Sequence, residues 1–203
     1  MVRSNSTQFF GRCQNTDMND KNWDVLSSEY LIKNKWLTVR KDHVKLPTGA
    51  EMDDYYVMEY PDWVTIIALT VEGKYVMERQ YRHGIRKTCY ELCGGTVEKG
   101  ENVIDTAKRE LKEETGYEGG EWEFFSTTAP NPAAMTNLCY TFVAKGVYKA
   151  GEQNLEKTED IDVCELTEGE LVTVMKAGQI TQGDMLSPLW QWMYNLEVER
   201  RKG

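Results

Sequence analysis

The chain has 203 residues, of which 40% are hydrophobic and 11% aromatic, and a formal net charge of −9. That is enough for one sizeable core with a small appendage, and too apolar for a disordered chain. The acidic balance argues against a general nucleic-acid binder, and no stretch approaches the roughly 18 consecutive apolar residues of a membrane span.

The opening, "MVRSNSTQFFGRCQ", lacks the apolar run of a signal peptide. Residues 1–22 are polar and without period, and read as a loose arm. The five cysteines, Cys13, Cys89, Cys93, Cys139 and Cys164, are odd in number and form no CxxC pair, so reduced thiols in a cytoplasmic protein are expected. Residues 23–60 are strand-like. "KWLTVRKDHVKL" alternates in part, "PTGAEMDD" is a turn cluster and "YYVMEY" resumes the strand, which predicts a small antiparallel β unit too small for a core of its own. The main domain is expected over 61–203. "DWVTIIALT" is apolar enough for a strand buried on both faces, and "YVMERQYR" after "VEGK" reads as its hairpin partner. "TCYELCGG" is a short strand, and a helix follows over 102–115. Strands resume at "EWEFFSTTA", "NLCYTFVAKGVYK" and "IDVCELT", and two helices, "EGELVTVMKAGQI" and "SPLWQWMYNLEVERRK", close the chain. The sum is α+β, a mixed sheet flanked by helices.

The segment from Cys93 to Gly120 carries the chemistry. At about 100° per residue, Ile104, Ala107 and Leu111 share a stripe about 60° wide, which would face the core. Glu110, Glu113 and Glu114 fall within about 100° of one another on the adjoining face. Like charges so placed cost a helix a few tenths of a kcal/mol per pair at roughly i,i+4 spacing. They sit beside the core rather than opposite it, as a cation site would require. Gly94, Gly95 and Gly100 just upstream permit tight loops whose carbonyls could reach the same cation. Hard divalent ions take oxygen ligands, and Mg²⁺ suits a few carboxylates together with substrate phosphates. The alternative is a salt-bridged surface helix, since Lys108, Arg109 and Lys112 are interspersed with the acids.

The spacing favours the first reading. Gly95-x5-Glu101-x7-Arg109-Glu110-Leu111-x-Glu113-Glu114-x-Gly116-Tyr117 resembles the Nudix box at every fixed position, with Tyr117 as the bulky closing residue. The resemblance extends over about Trp36 to Trp190. It implies a Nudix α/β/α sandwich with a mixed sheet, preceded by the antiparallel β unit. It also implies hydrolysis of a nucleoside diphosphate linked to another moiety. By that resemblance Glu110, Glu113 and Glu114 would hold Mg²⁺ or Mn²⁺, with the Gly94 carbonyl as a further ligand. Glu101 and Arg109 would be mainly structural.

Three features resemble the ADP-ribose pyrophosphatases within that superfamily. "ERQYRHGIRKTCYELCGG" is similar to their "QYR…ELPAG" segment, which would put Arg82 on a phosphate and make Glu91 an organiser of the site. Pro132 lies 15 residues beyond the box, at the position of their marker proline. The β unit resembles the one that builds a homodimer and lends aromatics to the partner's adenine pocket. Here those would be Trp36 and Tyr55 or Tyr56, with ordinary sheet packing as the alternative. Cys93 and Gly94 replace the usual proline and alanine. Cys93 with His83 as a nucleophile pair is a weaker reading than a buried thiol. "NLEKTEDID" resembles a mobile acidic loop that supplies a general base; Glu156, Glu159 and Asp160 are candidates, and "TEDI" aligns best on Glu159. The expected activity is hydrolysis of ADP-ribose to AMP and ribose 5-phosphate. A GDP-mannose or UDP-sugar pyrophosphatase is the close rival, and a non-catalytic nucleotide sensor the rival of another class. The complete glutamate set argues against the sensor. Neither nucleic acid nor a membrane is an expected partner.

Overall fold

The computed structural model describes residues 21–203, so most of the expected arm and Cys13 lie outside the described residues. Strands β1 (Asp24–Lys33), β2 (Thr38–Lys45) and β3 (Glu51–Glu59) form an antiparallel sheet in the order β1-β2-β3. Within the strand-like stretch 23–60 the sequence pattern delineates two strands, and β1 is a third. Its apolar residues come in adjacent pairs, Val25-Leu26 and Leu31-Ile32, and so define no single buried face. Every residue of β1 is exposed. The Asn34 side chain closes the β1–β2 turn, its Oδ1 accepting from the Trp36 and Leu37 amides at 3.1 and 2.8 Å. Asp42, 2% exposed, accepts from Ser28 and Arg40, and Arg40 reaches on to Glu59, so one ion network crosses the sheet.

The larger sheet contains β4 (Trp63–Thr70), β5 (Tyr75–Arg82), β6 (Lys87–Glu91), β7 (Tyr117–Thr128), β8 (Cys139–Lys149) and β9 (Ile161–Leu166). β4 runs parallel to β8, which pairs antiparallel with β7. The expected β4–β5 hairpin is reduced to a single pair, Leu69↔Tyr75. The reason is that the other edge of β4 is taken by the segment after β6. The Val64 and Ile66 amides donate to the Gly95 and Cys93 carbonyls at 2.9 Å. Freed from β4, β5 splays away and pairs with β6 on one side and β9 on the other.

β4 is apolar throughout because both its faces are covered. Val64, Ile66 and Ala68 pack under helix α1 (Val103–Glu110) with Ala107, Leu111 and Phe142. Ile67 packs with Leu171 of α2 (Glu168–Lys176) and Leu189 and Trp192 of α3 (Gly183–Arg200). The architecture is an α/β/α sandwich with a mixed sheet and a small antiparallel sheet before it. α2 opens with the reciprocal Thr167–Glu170 capping box. α3 starts a turn before the expected "SPLW". Burial of Met185, Leu189 and Trp192 together offsets the cost of enclosing Pro188, which has no N–H to give the Asp184 carbonyl. The two sheets meet through β3. The Met58 amide donates to the Ala134 carbonyl at 2.7 Å, and the Tyr55 hydroxyl donates to the Ala133 carbonyl. The loop carrying Pro132 is thus clamped to the N-terminal sheet. Among the described residues no helix is long and apolar enough to cross a membrane.

Candidate active site

The glutamate helix is regular only to Glu110. Leu111–Thr115 widens into a π-helical turn, which Gly116 ends at φ 72°. The widened turn changes the direction of Glu113 and Glu114 from that of an ideal helix. Arg109 organises this end. It binds Glu101 through Nε and Nη2 at 3.1 and 3.0 Å, and its Nη1 reaches Glu110 at 2.9 Å and Glu113 at 3.0 Å. One cation thus gathers two of the box acids while a third anchors it. The hydrogen bonds from Arg109 hold the Glu101 carboxyl down at about 2. Burial raises Glu110, and the Arg109 charge partly opposes that rise.

Two close approaches explain the adjacent glycines. A Cβ on Gly94 would strike the Val64 carbonyl of β4, and one on Gly95 would strike the Glu110 carboxylate. Since Cys93 and Gly95 turn their carbonyls to β4, the alternation of an extended chain sends those of Gly94 the other way. The Gly94 amide accordingly donates to Glu114 Oε2 at 3.2 Å, and its carbonyl leaves on that same edge. Glu114 also accepts from the Cys93 thiol at 3.3 Å. Burial, and next the Glu110 charge, push its carboxyl up to about 7.

Behind Glu114 stand two further buried acids. Glu78 of β5 and Glu91 of β6 lie directly opposite each other in register, 3% and 1% exposed. Like charges across a ladder destabilise it unless each is compensated. Glu91 is compensated by the Arg82 guanidinium, whose Nε donates to its two oxygens at 2.8 and 3.0 Å. Glu78 Oε1 has no hydrogen-bond partner among the described residues, and burial followed by the Glu114 charge raises Glu78 well above the usual carboxylate range. Glu159 is held in its own turn, accepting from the Glu156 amide at 2.7 Å, and its charge raises both Glu110 and Glu114. Carboxylates that raise one another, beside the Gly94 carbonyl, form a donor set suited to a hard divalent cation.

A cavity of about 420 Å³ adjoins this acidic cluster, lined by Arg82, Gly94, Gly95, Thr65, Gln182 and Asp184 among others. The structure therefore brings Arg82, Glu91, Gly94, Glu110, Glu113, Glu114 and Glu159 to one end of the sandwich. Trp36 lies elsewhere, 76% exposed at the β1–β2 turn with Lys35 over its ring at 4.3 Å. Tyr56 is 53% exposed, whereas Tyr55 packs edge-on against Trp23.

The NUDIX domain model matches residues 59–191, and the model of the nucleoside diphosphate sugar hydrolase N-terminal domain matches residues 23–58. The chain belongs to the NUDIX family. It is 34% identical to the methanol dehydrogenase activator of Bacillus methanolicus over 157 residues, covering 77% of this chain and 84% of that protein. It is 27% identical to the ADP-ribose pyrophosphatase of Bacillus subtilis, with the same two coverages. Its fold matches a crystal structure of an ADP compounds hydrolase with a TM-score of 0.74 at 18% identity, covering 87% and 96% of the two chains.

Within this NUDIX hydrolase, sequence reasoning passed over Glu78 and Asp184. Glu78 was legible in principle. It follows Val76 by two residues in a strand whose Val76 face is core, so an acid there is an anomaly. Asp184 lies in the first turn of α3, ahead of the helix expected from "SPLW".

Proposed function

We propose that this NUDIX hydrolase cleaves the diphosphate bond of ADP-ribose, giving AMP and ribose 5-phosphate. The observation that carries the reading is the cluster of mutually destabilised carboxylates around Glu114, set beside a cavity that Arg82 lines. Glu110, Glu113, Glu114 and the Gly94 carbonyl would hold Mg²⁺ or Mn²⁺. Such a cation, when bound, neutralises the diphosphate and lowers the pKa of attacking water. Arg109, anchored by Glu101, fixes Glu110 and Glu113. Arg82 is kept at the cavity wall by Glu91 and donates to a phosphate oxygen of the substrate. Glu159, on the turn whose charge reaches Glu110 and Glu114, takes the proton from water as its oxygen attacks phosphorus and the bridging P–O bond breaks.

The protein acts as a homodimer. Trp36 and Tyr56 are the two candidate aromatics left most exposed, and they stack on the adenine bound by the partner subunit. The ADP-ribose pyrophosphatase relative and the nucleoside diphosphate sugar hydrolase N-terminal match support the substrate class. A panel of ADP-ribose, GDP-mannose, UDP-glucose and dATP with Mg²⁺ or Mn²⁺ tests it. The highest kcat/KM is expected for ADP-ribose; a clear preference for GDP-mannose or UDP-glucose would give the site to another sugar nucleotide.

A further inference from the structure

Cys93 is fully buried, and its backbone is pinned to β4 through the Ile66 amide. The Cys93 sulfur, an oxygen of Glu78 and an oxygen of Glu114 all lie within 4.8 Å of one another. The sulfur and Glu114 Oε2 are 3.3 Å apart. With Zn–S near 2.3 Å and Zn–O near 2.0–2.2 Å, adjacent ligand atoms of a tetrahedral site stand about 3.5 Å apart. One edge of such a site is therefore already at length. Glu78 supplies the second, independent sign: it is 3% exposed, and its Oε1 has no hydrogen-bond partner among the described residues. A buried carboxylate oxygen without a donor is costly to keep and would be satisfied by a cation. Mg²⁺ asks for six oxygens in an octahedron and has little affinity for sulfur, whereas a thiolate selects borderline and soft ions.

We propose that Glu78, Cys93 and Glu114 form a thiol-bearing cation subsite that takes Zn²⁺ or Cd²⁺ in preference to Mg²⁺. On binding, the thiol coordinates as thiolate and its proton leaves to solvent. Three protein ligands leave the fourth tetrahedral position for water. The subsite itself follows from the geometry above. The further consequence, that Zn²⁺ competes with the hydrolytic metal through the shared Glu114, rests on the function proposed above.

Titration of the metal-stripped full-length protein with Cd²⁺, followed by the ultraviolet thiolate-to-cadmium charge-transfer band, tests this. One equivalent should develop the band. Cys93→Ser should lose it and weaken Cd²⁺ binding by more than about 100-fold, since a direct ligand matters more than the outer partners whose loss costs 10–100-fold. Glu78→Gln should keep the band but weaken Cd²⁺ binding at least about tenfold, and it serves alone if the serine variant fails to fold. Mn²⁺ affinity, read from its paramagnetic signal, should change less than about threefold in Cys93→Ser, because Mn²⁺ is indifferent to sulfur. A band that persists in Cys93→Ser places the ion on another cysteine and overturns the proposal, as does unchanged Cd²⁺ affinity in Glu78→Gln. Hydrolysis of ADP-ribose by the wild type with Mg²⁺ is scored separately. Turnover without the band sinks the subsite alone, and the band without turnover sinks the hydrolase reading alone.

Discussion

Glu114 concentrates the tension of the site. Its carboxyl is raised to about 7 by burial and then by Glu110, against an ordinary value of 4.5. The folded chain therefore holds this proton more tightly than the unfolded chain does. The stability linked to it is fully present below about pH 4.5 and is lost as pH rises through about 7. A shift of this size corresponds to something on the order of 3 kcal/mol at most. Glu101 works in the opposite sense. Its depressed carboxyl supports the fold above about 4.5, and that support is lost as pH falls towards about 2. The two windows do not overlap. Thermal melts of the metal-free protein should thus decline between pH 4.5 and 8, and Glu114→Gln should flatten that decline. Equal slopes in wild type and variant would show that Glu114 is not strained. Excess Mn²⁺ should also remove the slope in the wild type, because the ion replaces the proton.

At the level of elements, the glycine pair separates fold from site. Gly94→Ala pushes against the β4 backbone, which cannot yield, and should cost about 1–3 kcal/mol of stability in denaturant unfolding. Gly95→Ala meets the Glu110 carboxylate, a side chain that can swing aside. It should leave the unfolding midpoint nearly unchanged while weakening Mn²⁺ affinity about tenfold, as misplacing a ligand does. A loss of stability in Gly95→Ala equal to that in Gly94→Ala would remove this distinction. The same elements show what the sequence could reveal. The box spacing placed Glu110, Glu113, Glu114 and Arg109 together because the helix and its preceding glycines are local features. The π-helical turn was not legible. A fixed angle per residue cannot show a widening set by packing. Nor was the splaying of β5 legible, since it depends on the segment Cys93–Gly95, beyond β6, taking the edge of β4. Glu78 enters the site through that pairing.

For the whole molecule, β1 is the feature that a monomer leaves unexplained. Val25, Leu26, Tyr30, Leu31 and Ile32 are all 42–58% exposed, and among the described residues no element covers either face of the strand. Exposed apolar strands of this kind seek a partner surface. Sedimentation should find a dimer at micromolar concentration, and Leu31→Asp with Ile32→Asp should shift it to monomer. If the aromatics of this unit serve the neighbouring site, Trp36→Ala should raise KM more than it lowers kcat. A variant with unchanged KM would return Trp36 to a surface role. The sequence marked residues 23–60 as strand-like but did not separate β1 as a strand of its own, because β1 carries no alternation to read.

If the carboxylates around Glu114 form a metal-dependent diphosphate hydrolase centre, turnover must depend on both the metal and Glu114. ADP-ribose is followed with chromatographic separation of products, in wild type and Glu114→Gln, with Mg²⁺ and then with excess EDTA. The wild type should yield AMP and ribose 5-phosphate in equal amounts with Mg²⁺ and neither in EDTA. Glu114→Gln, its fold intact, should lose more than about 100-fold in kcat/KM. Full turnover in EDTA, or in a folded Glu114→Gln variant, would rule out such a centre.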